Sequence, residues 1–405
     1  METNLMEESI AIINSVADRS TGKIASGLLK YLISRKINAV LCYGRGKKPD
    51  SSNLYRIDYP IEFYVHALLC RITGFQGAYS RFATKRLIKV LKKRNVSTIF
   101  GIGLHGYYLN EKIFFNYVIE NDIKFVYIMT EEYAYLGKCG YSNGCTNYLH
   151  GCGHCPQKKE YPKSLFFDRS AKIFRVKQEA YIRLKHKVFV GPEYTILAAK
   201  KSPLLNGIKT EIIDEAIDLS FYYPRDTKSI REELKIPNNK IVIVCVAPSA
   251  YWKKGTVYFH QLAEQMLKME KFVFVHVGYT GDVSKCPSNL IPIGYEADQN
   301  KLAEYYSLAD LFVFPSLLDT MPNACLEALA CGSPLLCFNN SGMPYIADST
   351  TATFVEPKNV EQMVDVVRKT SKKNNATIDI CRKYAESRYD NQKYYQKLYN
   401  CSKEL

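Results

Sequence analysis

Pro315-Ser316-Leu317-Leu318-Asp319-Thr320-Met321-Pro322-Asn323-Ala324-Cys325-Leu326-Glu327-Ala328-Leu329-Ala330-Cys331-Gly332 is the stretch whose reading decides the fold. Just before it, Leu311-Phe312-Val313-Phe314 is a short apolar run of the kind a buried parallel strand needs. Just inside it, the Ala- and Leu-rich segment around Glu327 has strong helix propensity. Strand, loop and helix N-terminus together form the geometry in which a phosphate meets free backbone N–H groups and a positive helix dipole. Asp319 and Glu327, eight positions apart, flank that point and can accept hydrogen bonds from sugar hydroxyls. An amphipathic helix with a solvated Glu would also produce the acid pair taken alone.

Outward from this segment, the chain reads as two halves of α/β character. In the first, strands are expected at 10–14, 37–42, 97–102 and 124–129, with a helix over 24–34. In the second, strands are expected at 240–246, 272–277, 310–314 and 333–338, with a helix over 257–268. Strands alternating with helices argue for βαβ units and parallel sheets. The break falls near 214–224, giving domains over 1–215 and 216–385, and a tail at 386–405 rich in Tyr, Lys and Arg. Ligands belong in the crevice beyond the carboxyl ends of such strands.

A length of 405 residues predicts two or three domains. With 47% hydrophobic and 23% charged residues, the composition is that of a globular protein, and no apolar run reaches the ~18 residues of a spanning helix. The acidic start, Met1-Glu2-Thr3-Asn4-Leu5-Met6-Glu7-Glu8, lacks the basic region and apolar core of a signal peptide, so a cytoplasmic location is expected. Cysteines such as Cys245 and Cys337 stand singly in apolar runs and read as buried thiols.

The net charge of +15 is concentrated between Arg81 and Arg94, where Lys and Arg interleave with Leu87, Ile88 and Leu91. This predicts an amphipathic helix with a basic face. Its upstream neighbour over 61–70 is apolar and aromatic. Two uses are open to the basic helix: attachment, together with that apolar neighbour, to an anionic membrane surface, or a solvated face on a helix whose apolar side packs into its domain. No recognisable nucleic-acid-binding motif accompanies the charge, and nucleic acid is not expected as a partner.

The decisive segment resembles the signature of family 4 glycosyltransferases: an acid, seven residues, Glu, then Ala-x-Ala-x-Gly-x-Pro. Here Asp319 stands where Glu is commoner. The resemblance implies the GT-B fold, two Rossmann-like domains facing a cleft with the last helix crossing back to the first domain. It implies that Asp319 contacts the donor sugar, that Glu327 contacts the ribose, and that the Pro322-Asn323 backbone makes the helix-terminal contact. Lys254-Gly255, between the strand at 240–246 and the next helix, matches the family's Lys-Gly step, whose Lys contacts the donor phosphates. Ser249 occupies the position where many relatives carry an Arg, and Gly278 ends the strand at 272–277 on the same side. A solvated Lys pair in a turn is the alternative for Lys253-Lys254. The chain has no Asp-x-Asp, which argues against a metal-dependent transferase of the other common fold.

On the first half, Thr21 and Gly22, within Ser20-Thr21-Gly22-Lys23, stand at the first strand-to-helix turn, where an anion site or a plain tight turn would serve. His105 follows the third expected strand and can orient an acceptor hydroxyl or serve as a hydrogen-bonded structural residue. Thr130-Glu131 stands where relatives often carry His-Asp; Glu131 is a candidate acceptor-binding group or a solvated loop carboxylate. A cysteine-rich insertion at about 137–165 holds Cys139, Cys145, Cys152 and Cys155, a donor set able to satisfy a structural zinc, with free or bridged thiols as alternatives. This run also resembles a subgroup of bacterial transferases that build exopolysaccharide, capsule or O-antigen units.

The resemblance therefore implies a retaining glycosyltransferase that needs no catalytic cofactor. Its donor would be a UDP- or GDP-sugar and its acceptor a lipid-linked oligosaccharide. The enzyme would be peripheral on the inner face of the plasma membrane, held through residues 81–94. A sugar-nucleotide epimerase or phosphorylase of the same fold, and a basic cysteine-containing nucleic-acid-binding module, are the alternatives.

Overall fold

The computed structural model describes residues 8–17, 21–46 and 50–405; the acidic start and Ser20 lie outside the described residues. The chain divides into two compact units, Met1–Ile213 with Tyr395–Leu405, and Asp214–Tyr394.

The first unit is built on seven parallel strands: β1 (Ser9–Val16), β2 (Asn38–Arg45), β3 (Leu54–Arg56), β4 (Thr98–Gly101), β5 (Lys124–Ile128), β6 (Lys187–Gly191) and β7 (Thr210–Ile212). Their order is β3-β2-β1-β4-β5-β6-β7. The second unit carries β8 (Ile241–Val246), β9 (Phe272–Val277), β10 (Leu290–Ile293), β11 (Leu311–Phe314), β12 (Leu335–Phe338) and β13 (Ala352–Val355), also all parallel, in the order β10-β9-β8-β11-β12-β13. Each sheet is doubly wound, so the order reverses once, between β1 and β4 and between β8 and β11. The carboxyl ends of these strand pairs are the switch points where such folds bind ligands.

Central strands are apolar throughout because helices cover both faces of a parallel sheet. Ile10, Ala11, Ile12 and Ile13 are fully buried, as are Val242, Ile243, Val244 and Cys245. Every strand expected from the sequence is present, with its ends within three residues of the expected ones. Those not anticipated are β3, β6, β7, β10 and β13, most of them short strands at or next to a sheet edge.

The helices of the first unit include α1 (Thr21–Ser34), α2 (Pro60–Thr73) and α3 (Arg81–Lys93). The basic segment does form α3, but Ala83, Leu87 and Leu91 are completely buried in the domain core. The apolar side of α3 is thus committed to the interior, while Lys85, Lys89, Lys92 and Lys93 are exposed.

The helix Asn391–Lys403 runs into the first unit. There Leu398 and Cys401 are buried, Tyr399 donates to Glu8 at 2.8 Å, and Lys124 Nζ donates to the Ser402 carbonyl at 3.3 Å. Gly27 on α1 is required by this contact, since a Cβ there would lie 1.8 Å from the Tyr395 hydroxyl.

Candidate functional site

At the switch point of the second unit, the loops after β8 and β11 are laced together. Leu317 N–H donates to the Lys253 carbonyl at 2.7 Å and the Ser316 hydroxyl donates to the same oxygen at 3.1 Å. Gly255 has φ +64°, and a Cβ on it would sit 1.8 Å from the Pro315 carbonyl oxygen. Only glycine allows both the turn and the approach. This glycine ends the short 3₁₀ turn Trp252–Lys254 and starts the helix Thr256–Gln265.

That turn aims Lys254 across the loop after β11. Its Nζ lies 2.5 Å from Asp319 Oδ2, with one quarter of the lysine side chain and 12% of the aspartate exposed. The pair is largely sheltered, so its attraction is screened less than that of a surface ion pair. A third loop, after β12, braces the second: Gly342 N–H donates to the Asp319 carbonyl at 2.9 Å and Asn340 Nδ2 donates to the Leu317 carbonyl at 2.9 Å.

Pro322 caps the helix Asn323–Ala330, whose first N–H groups have no intrahelical acceptor. Asn323 Oδ1 is buried without a hydrogen-bond partner. Glu327, on the second turn, is buried and accepts a 2.7 Å hydrogen bond from the Tyr306 hydroxyl. Tyr306 comes from the helix Gln299–Leu308, an orienting partner that sequence inspection did not single out. Ser249 N–H donates to the Gly278 carbonyl at 3.0 Å, and its hydroxyl accepts from Thr280 N–H at 2.9 Å. Gly278, at φ +98°, backs onto the Ala247 carbonyl, 2.6 Å from where a Cβ would stand. Ser249 and Gly278 thus shape the loop that carries Lys254.

Glu215 was also missed. It is buried, its N–H points at Met321 Sδ at 3.2 Å, and its carboxyl is pushed up to about 8 by burial, then by the charges of Asp319 and Asp214. The only signal in the sequence is the acidic pair Asp214-Glu215 at the unit boundary.

At the switch point of the first unit, Gly103 and Gly106 let the loop after β4 pack on Asn14 and Ser15 at the end of β1. Thr21 Oγ1 donates to Asn14 Oδ1 at 3.2 Å, and Gly22 backs onto Ala17, where a Cβ would meet its carbonyl carbon at 2.6 Å. This glycine is needed for close packing of α1 on the end of β1.

His105 Nδ1 and Glu131 Oε1 are 2.6 Å apart, with 13% and 16% of the side chains exposed. The imidazole stacks on Tyr133 at 5.0 Å and meets Tyr161 edge-on at 5.7 Å. Beneath lies a buried polar layer: the Tyr133 hydroxyl donates to Glu111, and Lys177 Nζ sits 3.1 Å over the Tyr133 ring while donating to the Tyr133 and Leu136 carbonyls. Burial lowers Lys177 to about 8 and raises Glu111.

The four cysteines of the insertion line one small cavity of about 20 Å³. Cys139 and Cys155 share a thiol hydrogen bond. The donor set is right in kind for zinc, yet among the described residues no three ligand-type side chains converge closely enough to hold an ion.

Residues 240–373, about a third of the chain, match the model for glycosyl transferases group 1. The chain is 24% identical over 274 residues to the putative colanic acid biosynthesis glycosyl transferase WcaC of Escherichia coli, covering 65% of each chain. It is 28% identical over 159 residues to the N,N'-diacetylbacillosaminyl-diphospho-undecaprenol alpha-1,3-N-acetylgalactosaminyltransferase of Campylobacter jejuni, covering 37% of this chain and 42% of that one. The matches therefore span less than two thirds of these relatives' lengths. Among solved structures, sucrose-phosphate synthase from Thermosynechococcus elongatus superposes with a TM-score of 0.67 at 13% identity, over 98% of this chain and 99% of that one. Anabaena HepE in complex with UDP-glucose superposes at 0.61 and 11% identity, over 98% and 100%. The fold is GT-B: two Rossmann-like units, with the C-terminal segment rejoining the first.

Proposed function

We propose that this protein is a retaining, metal-independent glycosyltransferase of surface-polysaccharide synthesis, moving a sugar from a nucleotide-sugar to a lipid-linked glycan. The observation that carries the reading is the Lys254–Asp319 pair, which joins the loops after β8 and β11 at a switch point. Lys254 neutralises the leaving diphosphate with help from the N-terminus of the helix Asn323–Ala330. Asp319 holds the donor sugar. Glu327, oriented by Tyr306, accepts from the ribose. The C1–oxygen bond of the donor breaks with its electron pair going to the diphosphate. The acceptor oxygen bonds C1 on the same face, and its proton passes to a diphosphate oxygen.

On the first unit, His105 and Glu131 bind and orient the acceptor hydroxyl, their neighbouring aromatic rings offering stacking surface to sugar faces. The donor class, a UDP- or GDP-sugar, is supported by the family match over the second unit and by the UDP-glucose held by HepE. The lipid-linked acceptor is supported by the undecaprenol-linked substrate in the Campylobacter relative's name. No described helix is long and apolar enough to cross a membrane, and the reading has the protein working from the inner leaflet's surface.

A thermal-shift panel of UDP-, GDP- and ADP-sugars tests this. A cognate donor at about 100 times its Kd adds about 2.7 kcal/mol of stability. One nucleotide should raise Tm in the native protein and leave Lys254→Ala unmoved. Absence of any shift across the panel at millimolar ligand would overturn the reading.

A further inference from the structure

Helix α2 is apolar on two sides. His66, Ala67 and Cys70 are buried in the domain. On the other side Ile61, Tyr64, Val65, Leu68 and Ile72 follow one another at helical spacing, and each is between 39% and 72% exposed. A helix on a water-facing surface keeps that second side polar; this one does not.

The stripe continues into its neighbours. Leu165 N–H donates to the Arg71 carbonyl at 2.7 Å, which fastens the loop Leu165-Phe166-Phe167 to the end of α2, and all three of those side chains are exposed. Phe82, at the start of α3, is 76% exposed. Between α2 and Phe82 runs a groove of about 680 Å³ whose charged lining is Arg81, Arg169 and Lys172 with a single acid, Glu62, which is itself paired with Arg86. An exposed apolar patch of this extent marks an interaction site.

We propose that this face, α2 with the 165–167 loop, is a docking surface for an anionic lipid bilayer. The apolar stripe enters the headgroup–acyl boundary, while the cations of the groove wall and the exposed lysines of α3 meet lipid phosphates. Charge selects this occupant. With Lys and Arg outnumbering Asp and Glu by 55 to 40, a second copy of the chain would bring like charge against like. A nucleic acid would leave the exposed Leu and Phe side chains in water. The surface deepens the membrane part of the function proposed above, but it is tested with neither donor nor acceptor present.

The full chain is mixed with vesicles of phosphatidylcholine alone, or with about 30 mol% phosphatidylglycerol, and sedimented. Binding should require the anionic lipid and weaken at high salt. The exposed double substitution Leu68→Asp with Phe166→Asp should lower partitioning about tenfold or more without changing Tm. Trp252 is the single tryptophan, so Leu68→Trp in a Trp252→Phe background reports insertion independently, by a blue shift of emission on anionic vesicles. Equal partitioning of native and double-substituted protein, or no blue shift, would overturn the proposal. So would a concentration-dependent dimer abolished by Leu68→Asp in a protein that ignores vesicles.

Discussion

Lys254 Nζ stands 2.5 Å from Asp319 Oδ2, although 65 residues separate them in the chain. One side chain comes from the 3₁₀ turn after β8, the other from the loop after β11, and the sheet's reversal of order brings their strands side by side. A diphosphate entering this point would take up the lysine's charge, leaving the aspartate free to accept from a hydroxyl.

Lys254→Ala should therefore lower turnover by about 10²–10³, the usual cost of losing one preorganised contact to a leaving group. Single-turnover rates at saturating donor measure this directly. A variant within threefold or so of the native rate would remove Lys254 from the leaving-group role.

Gly255→Ala should destabilise the second unit by roughly 2–4 kcal/mol, because the new methyl would strain a left-handed residue and press on the Pro315 carbonyl. Urea unfolding followed by Trp252 fluorescence reports the loss, and Gly294→Ala serves as the control, since nothing lies within 4 Å of a Cβ there.

Glu215 predicts a pH dependence of known sign. Its carboxyl is raised to about 8 in the folded protein, by burial first and then by Asp319 and Asp214, against 4.5 in the unfolded chain. Between those values the folded state keeps a proton that the unfolded state has released. This group's contribution to stability is thus complete below about pH 4.5, falls as pH rises, and levels off above about 8. Glu215→Gln should flatten that fall and stabilise the protein at pH 8. Urea midpoints from pH 5 to 9 for both proteins give the comparison; parallel curves would refute it.

Cys155 should be the most reactive thiol of the insertion. The hydrogen bond from Cys139 brings it down to about 7, while Cys152 is held at about 11 by burial. Alkylation followed by peptide mapping should show Cys155 labelling with a midpoint near pH 7. Cys139→Ser, which keeps a donor, should preserve that midpoint, and Cys139→Ala should move it upward.

What could be read from the sequence was whatever a local pattern dictates. Apolar runs such as 240–246, 272–277 and 311–314 have the length and composition of interior parallel strands, and the turns after them carry Lys254, Gly278 and Asp319 to one rim. Edge strands such as β3 and β13 escaped notice because they are only three or four residues long and are interrupted by Arg56 or Thr353, which leaves no continuous apolar run to detect. Glu111, Tyr133 and Lys177 escaped for a different reason: each looks ordinary in its own helix or loop, and only the packed core shows that they share buried polar contacts. The basic cluster at 81–94 and the apolar run at 61–70 are both visible in the sequence, but which side of α2 is buried and which stays exposed depends on the surrounding packing.

The first unit is discontinuous, and this sets an order of events during synthesis. Tyr395–Leu405 sets Tyr395 against Gly27 of α1 and buries Leu398, some 180 residues after β7 has been made. A ribosome must therefore finish the second unit before the first can close its hydrophobic interior. A fragment ending at 213 should emerge sticky and chaperone-bound, and a peptide spanning 391–405, added in trans, should restore it.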